Sequence, residues 1–361
     1  MRATYVFCHG LNGCGQYDEE YGKKPYWGGA SGDVVAKLRE LGYDAYAASV
    51  APQGSAWDRA CELYAQIAGV RTDYGAAHSR EYRHDRFGRD FTGDALIPSW
   101  DENTRLVLVG HSFGGVTVRL LTELLANGSA GERRAMPEGG EGDLSPLFAG
   151  GMGERVRAVV TIAAPSNGTT AYDMAFDLNF DAKQVKVPLK YRLLDRLMKS
   201  RTKIEGDGRD KRDWANFDML VDNAQAINNR ISMLPHVYYL SVACDATIPG
   251  EGGTRVPDPA LVEPLFFKSS TLMGRYSGVT KAGQVLSDDW HANDGLVNTV
   301  SARAPFGDSQ QPLDRAKVAK GVWNVMPDVY ANHSFFQGGY FKKQDPLPFF
   351  LDLMKLLAEL D

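Results

Sequence analysis

The sequence LVLVGHSFGG, residues 106–115, decides the fold of this chain. The four apolar residues 106–109 indicate a buried parallel strand, and the Gly-x-Ser-x-Gly that follows is typical of a nucleophile elbow. Residues 116–126 then carry apolar side chains at helical spacing, and Asn127-Gly128 ends the helix. Strand, tight turn and helix are the context that this motif requires. We therefore expect Ser112 on a strained turn, with its hydroxyl exposed at the carboxyl edge of a sheet.

Composition and charge are ordinary for a soluble globular protein, since 43% of the 361 residues are hydrophobic and 24% are charged. The net charge of −5 and the lack of a basic run argue against nucleic acid as a partner. No apolar stretch approaches the roughly 20 residues of a transmembrane helix. No signal peptide is visible after Met1, so the sequence favours a cytoplasmic protein, unless a signal was removed and a start Met supplied. The sequence leaves the oligomeric state open.

Strands and helices alternate along the chain. The pattern predicts strands at 4–8, 44–50, 106–109, 157–162 and 238–242, and helices that begin at Ser31, Trp57, Val116 and Pro348. This alternation predicts the α/β class, with a mostly parallel central sheet covered by helices on both faces. We interpret residues 1–361 as one domain with two insertions, at 69–100 and at about 171–217.

The two inserted segments differ in composition. Residues 69–100 are rich in Gly, Asp, Arg and His, and we expect them to be irregular because no apolar period runs through them. Residues 187–200 carry leucines at helical spacing opposite lysines and arginines, which predicts an amphipathic helix. Periodicity alone leaves two interpretations of that helix open: it packs on the core, or it is a lid whose apolar face covers a site.

A glycine turn, His9-Gly10-Leu11-Asn12-Gly13, follows the first predicted strand directly. In α/β-hydrolases the loop after an early strand supplies one backbone N–H of the oxyanion hole. An ordinary glycine turn is the alternative interpretation. The position immediately after a strand favours the oxyanion loop.

Ser112 needs a base to remove its proton, and in this fold an Asp or Glu and then a histidine follow the serine along the chain. Of the seven histidines, His333 lies in a loop just before the final helix, where that histidine belongs. The acid stays open on pattern alone. Asp245 follows the strand at 238–242, and Asp294 lies in a turn-forming stretch, so the two candidates are nearly equal.

A second group of candidates consists of possible metal ligands, namely Asp58, His78, His84 and Asp218. Each has a plain structural explanation: Asp58 can cap a helix, Asp218 can be solvated, and the histidines can lie on the surface of a charged loop. Carboxylate oxygens and imidazole nitrogens are nevertheless ligands for Zn²⁺. Residues 69–100 have too little apolar content to fold on a core of their own, so a metal clip would stabilise them.

Longer matches make the chain resemble the zinc-containing thermoalkalophilic bacterial lipases, which have an α/β-hydrolase core. The matching sequences are YWGG (26–29), WDRACE (57–62), DYGAAH (73–78), RFGR (86–89), LSPLF (144–148), NDGLVNTV (293–300) and KGVWN (320–324). The resemblance implies an α/β-hydrolase fold and hydrolysis of carboxylic esters. It implies a small-molecule or lipid ester as substrate, with a lipid interface as a possible partner.

The resemblance also assigns roles to residues. The family's nucleophile falls on Ser112, its acid on Asp294 and its histidine on His333, which breaks the tie between the two acids. Its oxyanion-hole N–H groups fall on Leu11 and Phe113. Its structural zinc ligands fall on the four residues Asp58, His78, His84 and Asp218.

Three departures from the family pattern are visible. Gly110 replaces the usual Ala, a swap that we expect to be harmless, and the lid region 170–218 is shorter than usual. The acidic residue expected two positions after the histidine is Phe335, and the expected Asp-Pro arrives only at 345–346. Because Ca²⁺ binding usually needs a carboxylate, we expect no calcium near His333, or only a weak site.

Two other functions compete with ester hydrolysis by a serine. The Asp/His cluster could activate water in a metallohydrolase, but four protein ligands fill a tetrahedral site and leave no open position. The chain could also be a non-catalytic lipid-binding protein on a hydrolase scaffold. That interpretation is weaker because no member of the Ser, His and Asp set is missing.

Overall fold

The computed structural model describes residues 3–135, 144–175, 177, 180, 186–192 and 208–360. Its strands are β1 (Thr4–Cys8), β2 (Asp44–Ala48), β3 (Arg71–Asp73), β4 (Phe87–Asp90), β5 (Leu106–His111), β6 (Val156–Ile162), β7 (Tyr238–Val242), β8 (Thr247–Pro249), β9 (Arg255–Pro257), β10 (Gly278–Val279), β11 (Val285–Leu286), β12 (Gln310–Pro312) and β13 (Trp323–Val325). Seven of them form one parallel sheet in the order β12-β13-β7-β6-β5-β1-β2. Strand β5, which leads into Ser112, therefore lies near the middle of the sheet.

The helices lie between and after these strands. They are α1 (Glu19–Lys23), α2 (Val34–Glu40), α3 (Ala56–Ala68), α4 (Ala76–Tyr82), α5 (Phe113–Asn127), α6 (Ala130–Ala135), α7 (Pro146–Ala149), α8 (Thr170–Asp173), α9 (Ala215–Asp218), α10 (Val221–Asn228), α11 (Phe267–Met273), α12 (Thr299–Arg303) and α13 (Leu347–Glu359). None of these described helices has both the length and the apolar content needed to cross a bilayer.

Helices cover both faces of the sheet. Successive side chains of a strand point to opposite faces, so Leu106 and Leu108 pack into a core with α3 and α5, whereas Val107 and Val109 pack into a core with α2 and α13. All four side chains are fully buried, which explains the unbroken apolar run of β5. A parallel sheet covered on both faces confirms the predicted α/β class and corresponds to the α/β-hydrolase fold.

The expectation that residues 69–100 are irregular is wrong. Strands β3 and β4 form an antiparallel pair, and α4 lies between them. An ion pair between Arg86 and Asp73, with Nη2 and Oδ2 2.7 Å apart, joins the end of β3 to the residue just before β4. The elements are three to seven residues long, and such short elements leave no readable apolar period.

Most of the predicted amphipathic helix at 187–200 lies outside the described residues. Residues 189–192 are helical, and the ring of Tyr191 stacks on that of Phe267 with centroids 4.1 Å apart. Leu189 is largely exposed. The beginning of this segment therefore lies against α11.

The turn at Ser112 is a close junction of two strands and a helix. Ser112 has φ 55° and ψ −132°, a conformation that is strained for a residue with a Cβ. A Cβ added to Gly114 would lie 2.2 Å from the carbonyl oxygen of Cys8, and one added to Gly110 would lie 2.3 Å from the carbonyl oxygen of Gly114. Introducing the family's usual Ala at position 110 of this chain would therefore need a shift of the backbone. The elbow needs glycines because β1, β5 and α5 meet there.

We predict that Gly114→Ala lowers the free energy of unfolding by about 2 kcal/mol or more, because the new methyl group would overlap backbone atoms that cannot rotate away. Gly22→Ala is the matched control, since its Cβ would have no neighbour within 4 Å. Alanine also favours helix, so the control should change stability by less than about 1 kcal/mol. Denaturant unfolding of both variants measures this. Equal stability of the two variants would contradict the close approach at the elbow.

Candidate active site

Ser112, Asp294 and His333 meet at the carboxyl edge of the sheet, from three distant parts of the chain. Ser112 follows β5, Asp294 lies shortly before α12, and His333 lies in the loop after β13. Nε2 of His333 is 2.8 Å from Oγ of Ser112, and Nδ1 of His333 is 2.7 Å from Oδ2 of Asp294. All three residues are buried. The structure thus brings together the serine, histidine and aspartate that the sequence singled out.

Hydrogen bonds to Asp294 fix the state of the histidine ring. Oδ1 of Asp294 accepts the backbone N–H groups of Leu296 and Val297, at 3.0 and 2.8 Å, which leaves Oδ2 for the ring. The backbone N–H of His333 also donates to the carbonyl of Asp294 at 2.9 Å. A carboxylate only accepts, so Nδ1 of His333 carries the proton and Nε2 is free to accept the hydroxyl proton of Ser112.

Asp245, the competing candidate acid, has other partners. Its Oδ2 lies 2.7 Å from Nη2 of Arg255, and its Oδ1 accepts the backbone N–H and the hydroxyl of Thr247 at 2.8 and 2.6 Å. Both carboxylate oxygens are thus engaged by residues of the β8–β9 pair. Of the two acids that the sequence left open, Asp294 is the one hydrogen-bonded to His333.

The loop after β1 lies directly against Ser112. A Cβ added to Gly10 would be 2.6 Å from Cβ of Ser112. The neighbouring backbone N–H groups are occupied: Asn12 donates to the carbonyl of Pro52 at 2.9 Å, and Gly13 donates to that of Gly10 at 3.2 Å. Leu11, between Gly10 and Asn12, is half-buried, and its N–H is the candidate donor of this loop. The second candidate donor, the N–H of Phe113, begins α5 immediately after Ser112.

Sequence reasoning missed Tyr26, whose hydroxyl joins the parts of this site. The hydroxyl accepts the N–H of Gly10 at 2.9 Å and lies 3.3 Å from Nε2 of Gln337, which donates to it. Its own proton therefore goes to Nδ1 of His111 at 2.6 Å. Burial, and then the charge of the neighbouring His333, hold the pKa of His111 well below its usual range, so this ring stays neutral and accepts. The only signal in the sequence was the YWGG match.

A second cluster lies apart from these residues and consists of Asp58, His78, His84 and Asp213, with one ligand atom of each within 4.8 Å of the others. Nε2 of His78 lies 3.1 Å from Oδ1 of Asp58 and 3.2 Å from Oδ1 of Asp213, and Nε2 of His84 lies 3.3 Å from Oδ2 of Asp213. The cluster joins α3, the inserted segment 69–100 and the residues just before α9. Such a set of nitrogen and oxygen atoms is compatible with a structural metal ion.

The prediction that Asp218 completes this set is corrected by the structure, which brings Asp213 there instead. Asp218 turns towards the first turn of α3, where its Oδ2 accepts the N–H of Ala56 at 2.7 Å. Burial raises the pKa of Asp218 to about 7, so at neutral pH a smaller fraction of its carboxyl group is ionised than in an ordinary aspartate. The observed ligand, Asp213, lies five residues before the predicted one. The short helix α9 ends at Asp218, so Asp213 lies before its first turn.

The residues near the expected calcium position have partners within the chain. Phe335 begins a short 3₁₀ turn, and the exposed Asp345 accepts the N–H of Leu347 at 3.0 Å at the start of α13. The buried carboxylate of Glu263 accepts the N–H of Tyr340 at 2.8 Å and holds the segment after His333. That calcium does not bind there stays a prediction.

Comparison with known proteins identifies the family to which the chain is similar. The family model described as "Lipase-like, C-terminal domain" matches residues 2–186 and 196–344. Lipase 2 of Staphylococcus aureus is 33% identical over 355 residues, which cover 90% of this chain and 48% of that protein. The chain thus spans about half the length of the curated relatives that it matches.

Two solved structures are similar over nearly the whole chain. EstA from Clostridium botulinum is 30% identical with a TM-score of 0.83, over 99% of this chain and 87% of that chain. Staphylococcus hyicus lipase is 27% identical with a TM-score of 0.82, over 99% of this chain and 96% of that chain. The match of the family model over most of the sequence carries the assignment: this chain belongs to the lipase-like C-terminal domain family of bacterial lipases.

Proposed function

We propose that this chain is a serine hydrolase that cleaves carboxylic esters. The observation that carries the proposal is the continuous set of hydrogen bonds from Ser112 through His333 to Asp294, at 2.8 and 2.7 Å. A serine with a base in hydrogen-bond reach, and an acid that orients the base, is the arrangement that acyl transfer requires. Two of these relatives, from Staphylococcus aureus and Staphylococcus hyicus, are named lipases, which supports the same class of reaction.

The reaction proceeds in two steps. Oγ of Ser112 attacks the acyl carbonyl while Nε2 of His333 takes its proton, and the imidazolium that forms is stabilised by Asp294. The histidine then protonates the leaving alcohol, and the acyl group stays on Ser112. Water, activated by the same histidine, releases the acid. The N–H groups of Leu11 and Phe113 bind the oxyanion in both steps, and each such donor contributes about 3 kcal/mol to barrier lowering in comparable sites.

The substrate is an acyl ester, and the apolar surroundings of the triad suit an acyl chain. Phe266 lies beside His333 with ring centroids 6.3 Å apart, and the fully buried Phe336 packs against His111 at 5.6 Å. Exposed aromatic side chains, Tyr340 and Phe341, follow in the same loop. These features suit small or lipid esters, with a lipid surface as a possible place of action.

The Asp58, His78, His84 and Asp213 cluster would hold a zinc ion in this proposal. In a tetrahedral zinc site with bonds of about 2.0–2.2 Å, neighbouring ligand atoms lie about 3.3–3.6 Å apart. The separations of 3.1, 3.2, 3.3 and 3.9 Å in the cluster lie on both sides of that spacing.

The polar atoms of the cluster give a second reason for a metal ion. Nε2 of His84 and both carboxylate oxygens of Asp213 are buried and make no hydrogen bond of normal geometry, although Asp213 lies 3.2 and 3.3 Å from the two histidines and 3.8 Å from Nη1 of Arg209. A bound cation would satisfy these atoms. Four protein ligands fill a tetrahedral site, so the ion would be structural. It would tie α3 and the inserted segment to the chain that leaves the lid region.

We predict that Ser112→Ala, Asp294→Ala and His333→Ala each reduce kcat for a soluble ester by about 10³-fold or more, because each removes one member of a set that acts as a unit. Hydrolysis of p-nitrophenyl butyrate, at matched folding judged by circular dichroism, measures this. Covalent labelling by a serine-directed phosphonate should also be lost in Ser112→Ala.

Asp245→Asn is the matched control for the acid, since it alters a buried aspartate at the same end of the sheet. It should keep kcat within about threefold of wild type because its carboxylate contacts Arg255 and Thr247. Loss of activity in Asp245→Asn, together with activity retained in Asp294→Ala, would show that Asp245 and not Asp294 is the catalytic acid. A wild-type enzyme that is blocked by mild chelation but not by the phosphonate would favour the metallohydrolase.

We predict that the protein binds about one equivalent of zinc, as a structural site with four protein ligands does. Asp213→Asn should reduce bound zinc below about half an equivalent and lower the thermal midpoint, because it removes a charged ligand. Asp218→Asn should retain the zinc. Elemental analysis of protein purified without added metal measures both. Zinc lost from Asp218→Asn and retained in Asp213→Asn would reverse the ligand assignment. A wild-type protein that contains no zinc, and whose thermal midpoint does not change when chelator is added, would refute the zinc site.

We predict substantial hydrolysis of soluble short-chain esters, since the lid region that the sequence predicts is short and would cover less of the active site than a longer one. A series of p-nitrophenyl esters from butyrate to palmitate, with and without emulsion, measures this. Negligible turnover of the short esters, beside strong activity on emulsified long-chain esters, would count against an open site.

A further inference from the structure

Arg59 is a fully buried cation on α3, next to Asp58 of the metal-ligand cluster. Its Nε–H donates to Oγ1 of Thr117 at 3.0 Å, its Nη1–H donates to the carbonyl of Ala51 at 2.8 Å, and its Nη2–H donates to the carbonyl of His9. These three acceptors are neutral groups on three different segments. The guanidinium is therefore a junction between the loop after β1, the loop after β2 and α5.

Two of these segments carry the proposed oxyanion-hole donors. His9 lies two residues before Leu11 in the loop after β1. On the other side, the guanidinium lies over the ring of Phe113, 5.4 Å from its centroid, and Thr117 donates its hydroxyl to the Phe113 carbonyl at 3.1 Å. One rigid planar group thus spans the two parts of the chain from which the Leu11 and Phe113 N–H groups project.

Stability alone does not account for an arginine in this place. Burying a charge among neutral partners is costly, and an apolar side chain of similar volume would fill the same space at less cost. A guanidinium can nevertheless hold three acceptors at fixed angles, because its N–H groups form a rigid fork. An ammonium group on a flexible stem cannot reproduce that arrangement.

The state of His9 also depends on Arg59. Burial, and then the charge of Arg59, lower the pKa of His9 to about 3, so the ring is neutral at physiological pH. Its Nδ1–H donates to the carbonyl of Gly10 at 2.8 Å, and its Nε2 accepts the N–H of Val50 at 3.3 Å. The ring is therefore held in one tautomer, which fixes the backbone on the side of the loop that precedes Leu11.

We propose that Arg59 is a positioning residue for the oxyanion hole. Its guanidinium holds the loop after β1 and the first turn of α5 at the separation that aims the N–H groups of Leu11 and Phe113 at one oxygen. This inference rests on the proposed ester hydrolysis. Charge develops on the acyl oxygen only in the transition state, so a displaced donor lowers kcat while ground-state binding of the ester stays nearly unchanged.

The test compares Arg59→Lys with Arg119→Lys. Arg119 is the matched control because it is also buried, donates to Oδ1 of Asn228 at 2.9 Å and lies over the ring of Trp323 at 5.9 Å, away from the triad. Both variants bury an ammonium in place of a guanidinium, so both should lose thermal stability. The readouts are kcat and KM for p-nitrophenyl butyrate, and the inhibition constant of a trifluoromethyl ketone, which forms a tetrahedral adduct with the serine.

We expect Arg59→Lys to lower kcat about 10- to 100-fold with KM changed less than about threefold, since a misplacement of about 1 Å can cost about 100-fold in rate. The inhibition constant of the ketone should rise by a similar factor. Arg119→Lys should keep kcat and the inhibition constant within about threefold of wild type. Equal losses of kcat in the two variants, or a change in KM alone, would overturn the role of Arg59.

Thr117→Val is the second variant, for the case that Arg59→Lys does not fold. It removes the acceptor of Arg59 Nε–H with little change in volume, and it should lower kcat about three- to tenfold at unchanged KM. Wild-type kcat in Thr117→Val would then overturn the inference. Suppose that the wild-type protein hydrolyses esters and Ser112→Ala is inactive, but Arg59→Lys and Thr117→Val keep the wild-type kcat. That result would overturn this inference and leave the proposed function standing. An inactive wild type would overturn the proposed function instead.

Discussion

The close approach of β5 and α5 at Ser112 is the constraint on which the rest of the structure depends. Gly114 lets the first turn of α5 lie against the carbonyl groups of Cys8 and His9, because a Cβ there would come within 2.2 Å of the backbone. The same contact brings the loop after β1 beside Ser112 and starts α5 at Phe113. The serine and both candidate oxyanion donors thus take their positions from one junction, and His333 and Asp294 only have to reach it.

The sequence alone predicted the parts of the fold that local chemistry determines. The elbow could be recognised because glycine, serine and an apolar run occupy adjacent positions, and His333 followed from chain order. The acid could not be chosen by pattern, since Asp245 follows a strand, Asp294 lies in a turn-forming stretch, and either position suits a catalytic acid. What separates them is the Arg255 side chain, ten residues beyond Asp245, and no local signal shows that it folds back to pair with that carboxylate.

The error at Asp218 and the error at 69–100 have related causes. Asp213 and Asp218 flank one short helix, and which of them faces His78 and His84 depends on the path of the chain into that helix, not on residue type. In 69–100, the order comes from an ion pair, a two-stranded hairpin and a cluster of polar ligands. None of these leaves the apolar period from which helices and strands are predicted.

The pairing of β1 with β5 also has a kinetic consequence. Thr4 pairs with Leu106, so the first strand of the chain cannot complete its place in the sheet until about a hundred residues further have been made and brought back. Contacts this distant in sequence close slowly and leave apolar strands unpaired in the meantime. The same event joins the loop after β1 to the serine. The appearance of activity during refolding should therefore coincide with completion of the sheet, not with formation of the helices.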